Sequence, residues 1–106
     1  MPLVEAEFEK LTTLLTNEDG VAAGQLFGKA CLKVHGKAFL ARQNDVIVFK
    51  LNGASHAKAI GLDAASLWDP SGKGRPMKEW VALPMEHRKV FASLAKEALK
   101  YVAGAA

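Results

Sequence analysis

Residues 38–51, AFLARQNDVIVFKL, decide the fold. Val46-Ile47-Val48-Phe49-Lys50-Leu51 is the strongest strand signal in the chain, because β-branched and aromatic residues fill most of it. Asn44-Asp45 just before it favours a tight turn, and Ala38 to Gln43 reads as the strand on the other side of that turn. A turn this short makes the two strands antiparallel neighbours. Alternation then sorts the side chains. Ile47, Phe49 and Leu51 share one face, and Val46, Val48 and Lys50 share the other.

Working outward, His35-Gly36-Lys37 supplies another turn, with Ala30 to Val34 as a strand before it and a short Gly24–Gly28 segment before that. The chain begins with a helical pattern: Val4, Phe8, Leu11 and Leu15 recur at helical spacing, and Leu3 and Leu14 widen the stripe. Pro2 suits a helix start, and Asn17-Glu18-Asp19-Gly20 suits its end. Downstream, Asn52-Gly53 closes the strong strand, and Ala54 to Gly61 reads as a short helix with Ala57 and Ile60 inward. Ser66 to Asp69 and Met77 to Leu83 form a hairpin around the Gly- and Pro-rich loop 70–76. Pro84 ends it, and Met85 to Val102 carries a broad apolar stripe of a final helix.

The expected order is α-β-β-β-α-β-β-α: a two-layer α+β domain spanning residues 1–106, with an antiparallel sheet and helices on one face. If the helices cover the Ile47 face, the other face is mixed. It offers Cys31, Lys33, His35 and Arg42 together with Leu40, Val46 and Val48, which is too apolar a surface to be merely wet.

The chain's 106 residues suit one domain; half are hydrophobic and 24% are charged, so there is enough apolar surface for a core. A single Cys excludes an internal disulfide and suits a reducing, cytoplasmic compartment. The net charge of +3 is unevenly placed. Residues 1–20 set Glu5, Glu7, Glu9, Glu18 and Asp19 against Lys10 alone, a balance of −4, and the remainder carries +7.

Local motifs argue against chemistry. Cys31 and His35 are four residues apart, about 13 Å along a strand, which is too wide for two ligands of one zinc ion. Ser55-His56 and Ser93 lack the Gly-x-Ser-x-Gly setting of a nucleophile elbow. Gly72-Lys73-Gly74-Arg75 lacks the Lys-Ser/Thr and following helix of a phosphate-binding P-loop, and reads as a solvated hairpin tip. Trp68 and Trp80 flank that loop and read as packing residues, with a small-ligand pocket beside Arg75 as the lesser reading.

Leu26-Phe27-Gly28, Cys31-Leu32, Gly36-Lys37-Ala38-Phe39 and Val46 to Leu51, followed by Gly72 to Trp80, Pro84 and an Ala-rich helix, resemble the N-terminal domain of TfoX (Sxy) competence regulators. The likeness covers about residues 20–103, with Leu26 in place of the family's usual Met. Trp80-Val81 before Pro84 also resembles YjbR-like proteins. The resemblance implies an α+β fold like that of secretion chaperones, and it supplies structural positions rather than catalytic ones. The expectation is a non-enzymatic interaction or regulatory domain, without cofactor or metal, that meets a protein partner or its own copy as a homodimer. Its candidate contact residues are Lys33, Arg42, Val46, Val48, Lys50, Lys73 and Arg75. The alternative is a nucleic-acid-associated regulator using the basic members of that set.

Overall fold

Amphipathic spacing at the start of the chain forms helix α1 (Leu3–Leu15), which buries Val4, Phe8, Leu11 and Leu15 along one stripe. This computed structural model describes residues 3–43, 45–69, 74 and 76–104. Four strands follow α1: β1 (Val21–Leu26), β2 (Lys29–Val34), β3 (Lys37–Gln43) and β4 (Val46–Lys50). Helix α2 (Gly53–Ile60), strands β5 (Ser66–Trp68) and β6 (Met77–Pro84), a 3₁₀ segment (Met85–Val90) and helix α3 (Phe91–Gly104) complete the chain. The sheet order is β1-β2-β3-β4-β6-β5, with every neighbouring pair antiparallel. The architecture is the expected two-layer α+β domain, with one strand more before α2 than expected.

That extra strand is β1, where Val21-Ala22-Ala23 extends the short glycine-bearing segment. Its small residues have little strand propensity, and its pairing with β2 supplies the order instead. The turns flanking β2 are two residues long, Phe27-Gly28 (φ 52° and 75°) and His35-Gly36 (φ 50° and 82°). Paired left-handed residues twist a hairpin with the right hand of its strands. The final helix is also shorter than its apolar stripe suggests. Leaving the strand, Pro84 is extended, and His87 is non-helical (φ −99°, ψ 17°) while its ring nitrogen lies 2.6 Å from the Asp63 carbonyl.

A β-bulge corrects the sorting of the faces. Leu32 pairs with Leu40 and Lys33 with Ala38, so Phe39 has no partner of its own. Phe39 and Leu40 therefore both enter the helix-covered core, and alternation resumes with opposite phase. Leu40 leaves the mixed face to which strict alternation assigned it. Arg42 also moves to the helix side, where its Nη1 lies 3.7 Å from Glu5 Oε1 of α1.

The main core joins α1 and α3 to Leu32, Val34, Phe39, Leu40, Ile47, Phe49, Leu51, Val81 and Leu83. Phe49 is fully buried, with its ring centroid 5.5 Å from that of Phe91 at the start of α3. No described helix is long and apolar enough to cross a membrane. Truncating Phe49 to Ala should cost about 3–5 kcal/mol, because the sheet and α3 cannot both close the void. Urea unfolding measures that loss, and Lys37→Ala at the exposed start of β3 should move the midpoint little.

Candidate interaction surface

The second sheet face has a small core of its own. Cys31, Ala41, Val48, Trp68, Trp80 and Ala82 are all buried there, with Leu26, Ala38, Val46 and Met77 packed around them. Trp68 reaches this face by simple alternation: Ser66 pairs with Ala82 of this cluster and Leu67 with Val81 of the main core, so Trp68 turns back to the Ala82 side. The ladder also shifts at this point. One residue of β5, from Leu67 to Trp68, spans four of β6, from Val81 to Met77. The Trp68 and Trp80 rings then meet at 5.3 Å between centroids, and the Trp68 indole N–H donates to the Gln43 side-chain oxygen.

Trp68 also meets Phe27, 6.2 Å between centroids, although β5 and the β1–β2 turn stand toward opposite ends of the strand order. In a flat sheet, strands about 4.8 Å apart would keep those edges roughly 24 Å from each other. The sheet therefore curls, with the second face concave. Phe27 stays 62% exposed on its rim, held by a left-handed backbone that suits Asn or Gly better than Phe. An exposed aromatic in a strained turn is a functional signal with no local motif to announce it.

The charges of this face have one sign. Register places Lys29, Lys33 and Lys50 on it, and no described strand position facing the same way carries Asp or Glu. Lys50 Nζ lies 6.0 Å from the Trp80 ring centroid, near the outer limit of a cation–π contact. Asp45 in the β3–β4 turn and Asp69 after β5 stand at its ends, and Asp69 accepts a 2.8 Å hydrogen bond from the Gly74 N–H. The acids Glu5, Glu7 and Glu9 belong to α1, in the opposite layer.

The structure thus brings together Lys33, Val46, Val48 and Lys50 of the expected contact set. Val48 has no exposed surface, so it supports the aromatic cluster instead of touching a partner. The bulge separates Arg42 from the group, as described above, and Lys73 and Arg75 lie outside the described residues. Phe27 and Lys29 are the members that sequence reasoning missed.

Two of the other reactive side chains hold structure together. His56 places a ring nitrogen 2.7 Å from the Lys78 carbonyl, tying α2 to β6, and Ser55 donates to the Asn52 carbonyl at 3.0 Å. Among the described residues, no three of His, Cys, Asp and Glu gather as a metal cluster. Tyr101 donates its hydroxyl to Glu79, which raises its pKa by stabilising the protonated phenol. Comparisons with protein-family models, with curated proteins and with solved structures return no match.

Burial pushes the Cys31 thiol above its ordinary value of 9.0, and nearby Lys33 offsets part of that shift. A raised acid pKa means that the folded state prefers the neutral thiol. The stabilisation is complete below the unfolded-state pKa and is lost as pH rises through the folded one. Native protein at pH 8 should therefore react with a thiol reagent at least tenfold more slowly than urea-unfolded protein. The urea midpoint should fall above pH 9 by more in the wild type than in Cys31→Ala, which lacks the titrating group.

Proposed function

We propose that this chain is a non-enzymatic interaction module of the TfoX N-terminal-domain type, cytoplasmic and regulatory, that receives an acidic protein partner on its concave sheet face. One observation carries the reading: Lys29, Lys33 and Lys50 share a face on which no described strand position bears an acid, beside an aromatic that the fold leaves exposed at an energetic cost. Uniform charge steers and orients a complementary partner, and an exposed aromatic at its rim supplies a desolvated anchor. The buried free Cys31 is in keeping with a reducing compartment.

The nucleic-acid alternative shares the charge argument and is weaker on stacking. Single-stranded nucleic acid binds on open aromatic faces, yet Trp68 and Trp80 are 3% and 4% exposed. Among the described residues, Phe27 is the one exposed aromatic on this face, and its ring already meets Trp68.

Fluorescence anisotropy separates the two readings with a labelled peptide of interspersed Glu and Phe and a labelled single-stranded oligonucleotide. The peptide should bind, more weakly as salt rises, and Lys33→Glu with Lys50→Glu should reduce its affinity at least tenfold, about 1.4 kcal/mol. Phe27→Asn should also weaken binding while leaving stability nearly unchanged. Relief of left-handed strain, about 1–2 kcal/mol, roughly balances the lost aromatic contact, about 0.5–1.5 kcal/mol. Tight oligonucleotide binding without peptide binding would replace this reading with its alternative. Binding of neither probe would end both.

A further inference from the structure

Two strands end the sheet, and they end it differently. β5 is three residues long, and its pairing is interrupted at Leu67/Trp68. β1 is six residues long, pairs with β2 in unbroken register from Val21↔Val34 to Leu26↔Lys29, and contains neither a charge nor a proline. Proteins usually blunt such an edge, because its open backbone groups accept another strand.

The phase of those groups follows from the turn. Phe27-Gly28 is a two-residue loop, so Leu26 and Lys29 exchange hydrogen bonds across it. Alternation gives Gly24 and Ala22 the same inward role, and the 2.9 Å bond from the His35 N–H to the Gly20 carbonyl keeps that phase. The N–H and C=O groups of Ala23 and Gln25 therefore point away from β2, as does the Val21 carbonyl. The Val21 N–H turns back to the Glu18 carbonyl at 3.3 Å.

The geometry points to a second copy of this chain pairing along β1, antiparallel, about a two-fold axis that passes through Ala23 normal to the sheet. Such an axis keeps like faces together, so only residues of the same face can stand opposite each other. With Ala23 on the axis, Val21 meets Gln25 of the second copy and Ala22 meets Gly24. No charge meets a like charge within the strand, and the side chains at the centre are small enough to admit a neighbour. An axis through Gly24 would instead set Val21 against the Phe27 turn, whose left-handed backbone cannot continue a ladder. Just beyond the strand, the same register sets exposed Phe27 of one copy opposite Asp19 of the other.

Pairing would also join the two concave faces. The Lys33 side chain crosses Gly24 so closely that a Cβ there would meet its Cε at 3.2 Å, which brings the two copies' lysines toward each other across the axis, so the association should tighten as salt rises. The dimer inference nevertheless stands apart from the acidic-partner reading. A strand edge buries less surface than a standard interface of about 1,600 Å², so the association should be reversible at micromolar concentration.

Cysteine cross-linking with sedimentation equilibrium tests it. Ala23→Cys should form a disulfide dimer under mild oxidation, since residues opposed in a hydrogen-bonded pair have Cα atoms about 5.5 Å apart, within disulfide reach. Gln25→Cys should not, because its two copies would stand roughly 14 Å apart. Native Cys31, 1% exposed, stays out of the reaction. Over micromolar concentrations the wild type should move from 11.4 kDa toward twice that mass. Ala23→Pro removes only an outward N–H and should stay monomeric with an unchanged circular dichroism spectrum. If it unfolds, Ala23→Lys, which sets like charges on the axis, provides the same measurement. A wild type that is monomeric throughout, or equal cross-linking of the two cysteine variants, would overturn the pairing. Acidic-peptide binding by a monomeric variant reports separately on the function proposed above.

Discussion

Strand β4 is enclosed on every side, and the rest of the molecule is arranged to make that possible. It is paired by β3 and β6 along its edges; Ile47 and Phe49 have no exposed surface on one face, and Val48 has none on the other. A two-layer fold with helices on one face covers only half of this requirement. The other half comes from the sheet itself. Alternation along β5 sets Trp68 on the same face as Trp80, and small residues at Ala41 and Ala82 share the same cluster. The concave face is thus a consequence of burying Val48, and its rim is where the remaining surface chemistry collects.

This origin explains which parts of the fold were legible. Val46 to Leu51 announces itself because β-branched and aromatic residues have few other uses at that density. The stripe of α1 is equally plain, since helical spacing repeats over its whole length. The bulge at Phe39 was not legible, because an apolar pair such as Phe39-Leu40 reads the same in either phase. That one unpaired residue carried Leu40 and Arg42 to the helix side. Strand β1 was only half visible for a different reason: Ala and Gly carry no preference that pairing cannot override. At the candidate surface, Lys33 and Lys50 followed from alternation, whereas the importance of Phe27 rests on exposure and backbone sign, which no spacing encodes.

Layering also explains the polarity of charge. Helix α1 turns its apolar stripe to the core and must place Glu5, Glu7 and Glu9 elsewhere on its surface, on the helical side of the molecule. The lysines of β2 and β4 alternate with core residues and so emerge on the opposite face. The acids of α1 and the lysines of β2 and β4 therefore lie in different layers. Arg42 bridges them only because the bulge rotated it toward Glu5.

Curling the sheet has unequal consequences for its two edges. At the β5 end the ladder is offset and the strand stops after three residues, and both leave little backbone for a neighbouring chain. The β1 end contributes to closure through Leu26 and the Phe27 turn and keeps a full six-residue register. The two-residue Phe27-Gly28 turn fixes the register of the β1–β2 pair from its first residues, Leu26 and Lys29. The aromatic that closes the concave face and the strand left open at its margin are therefore linked by one turn. The conformation that strains Phe27 is the same one that keeps Ala23 and Gln25 aligned along an unbroken edge.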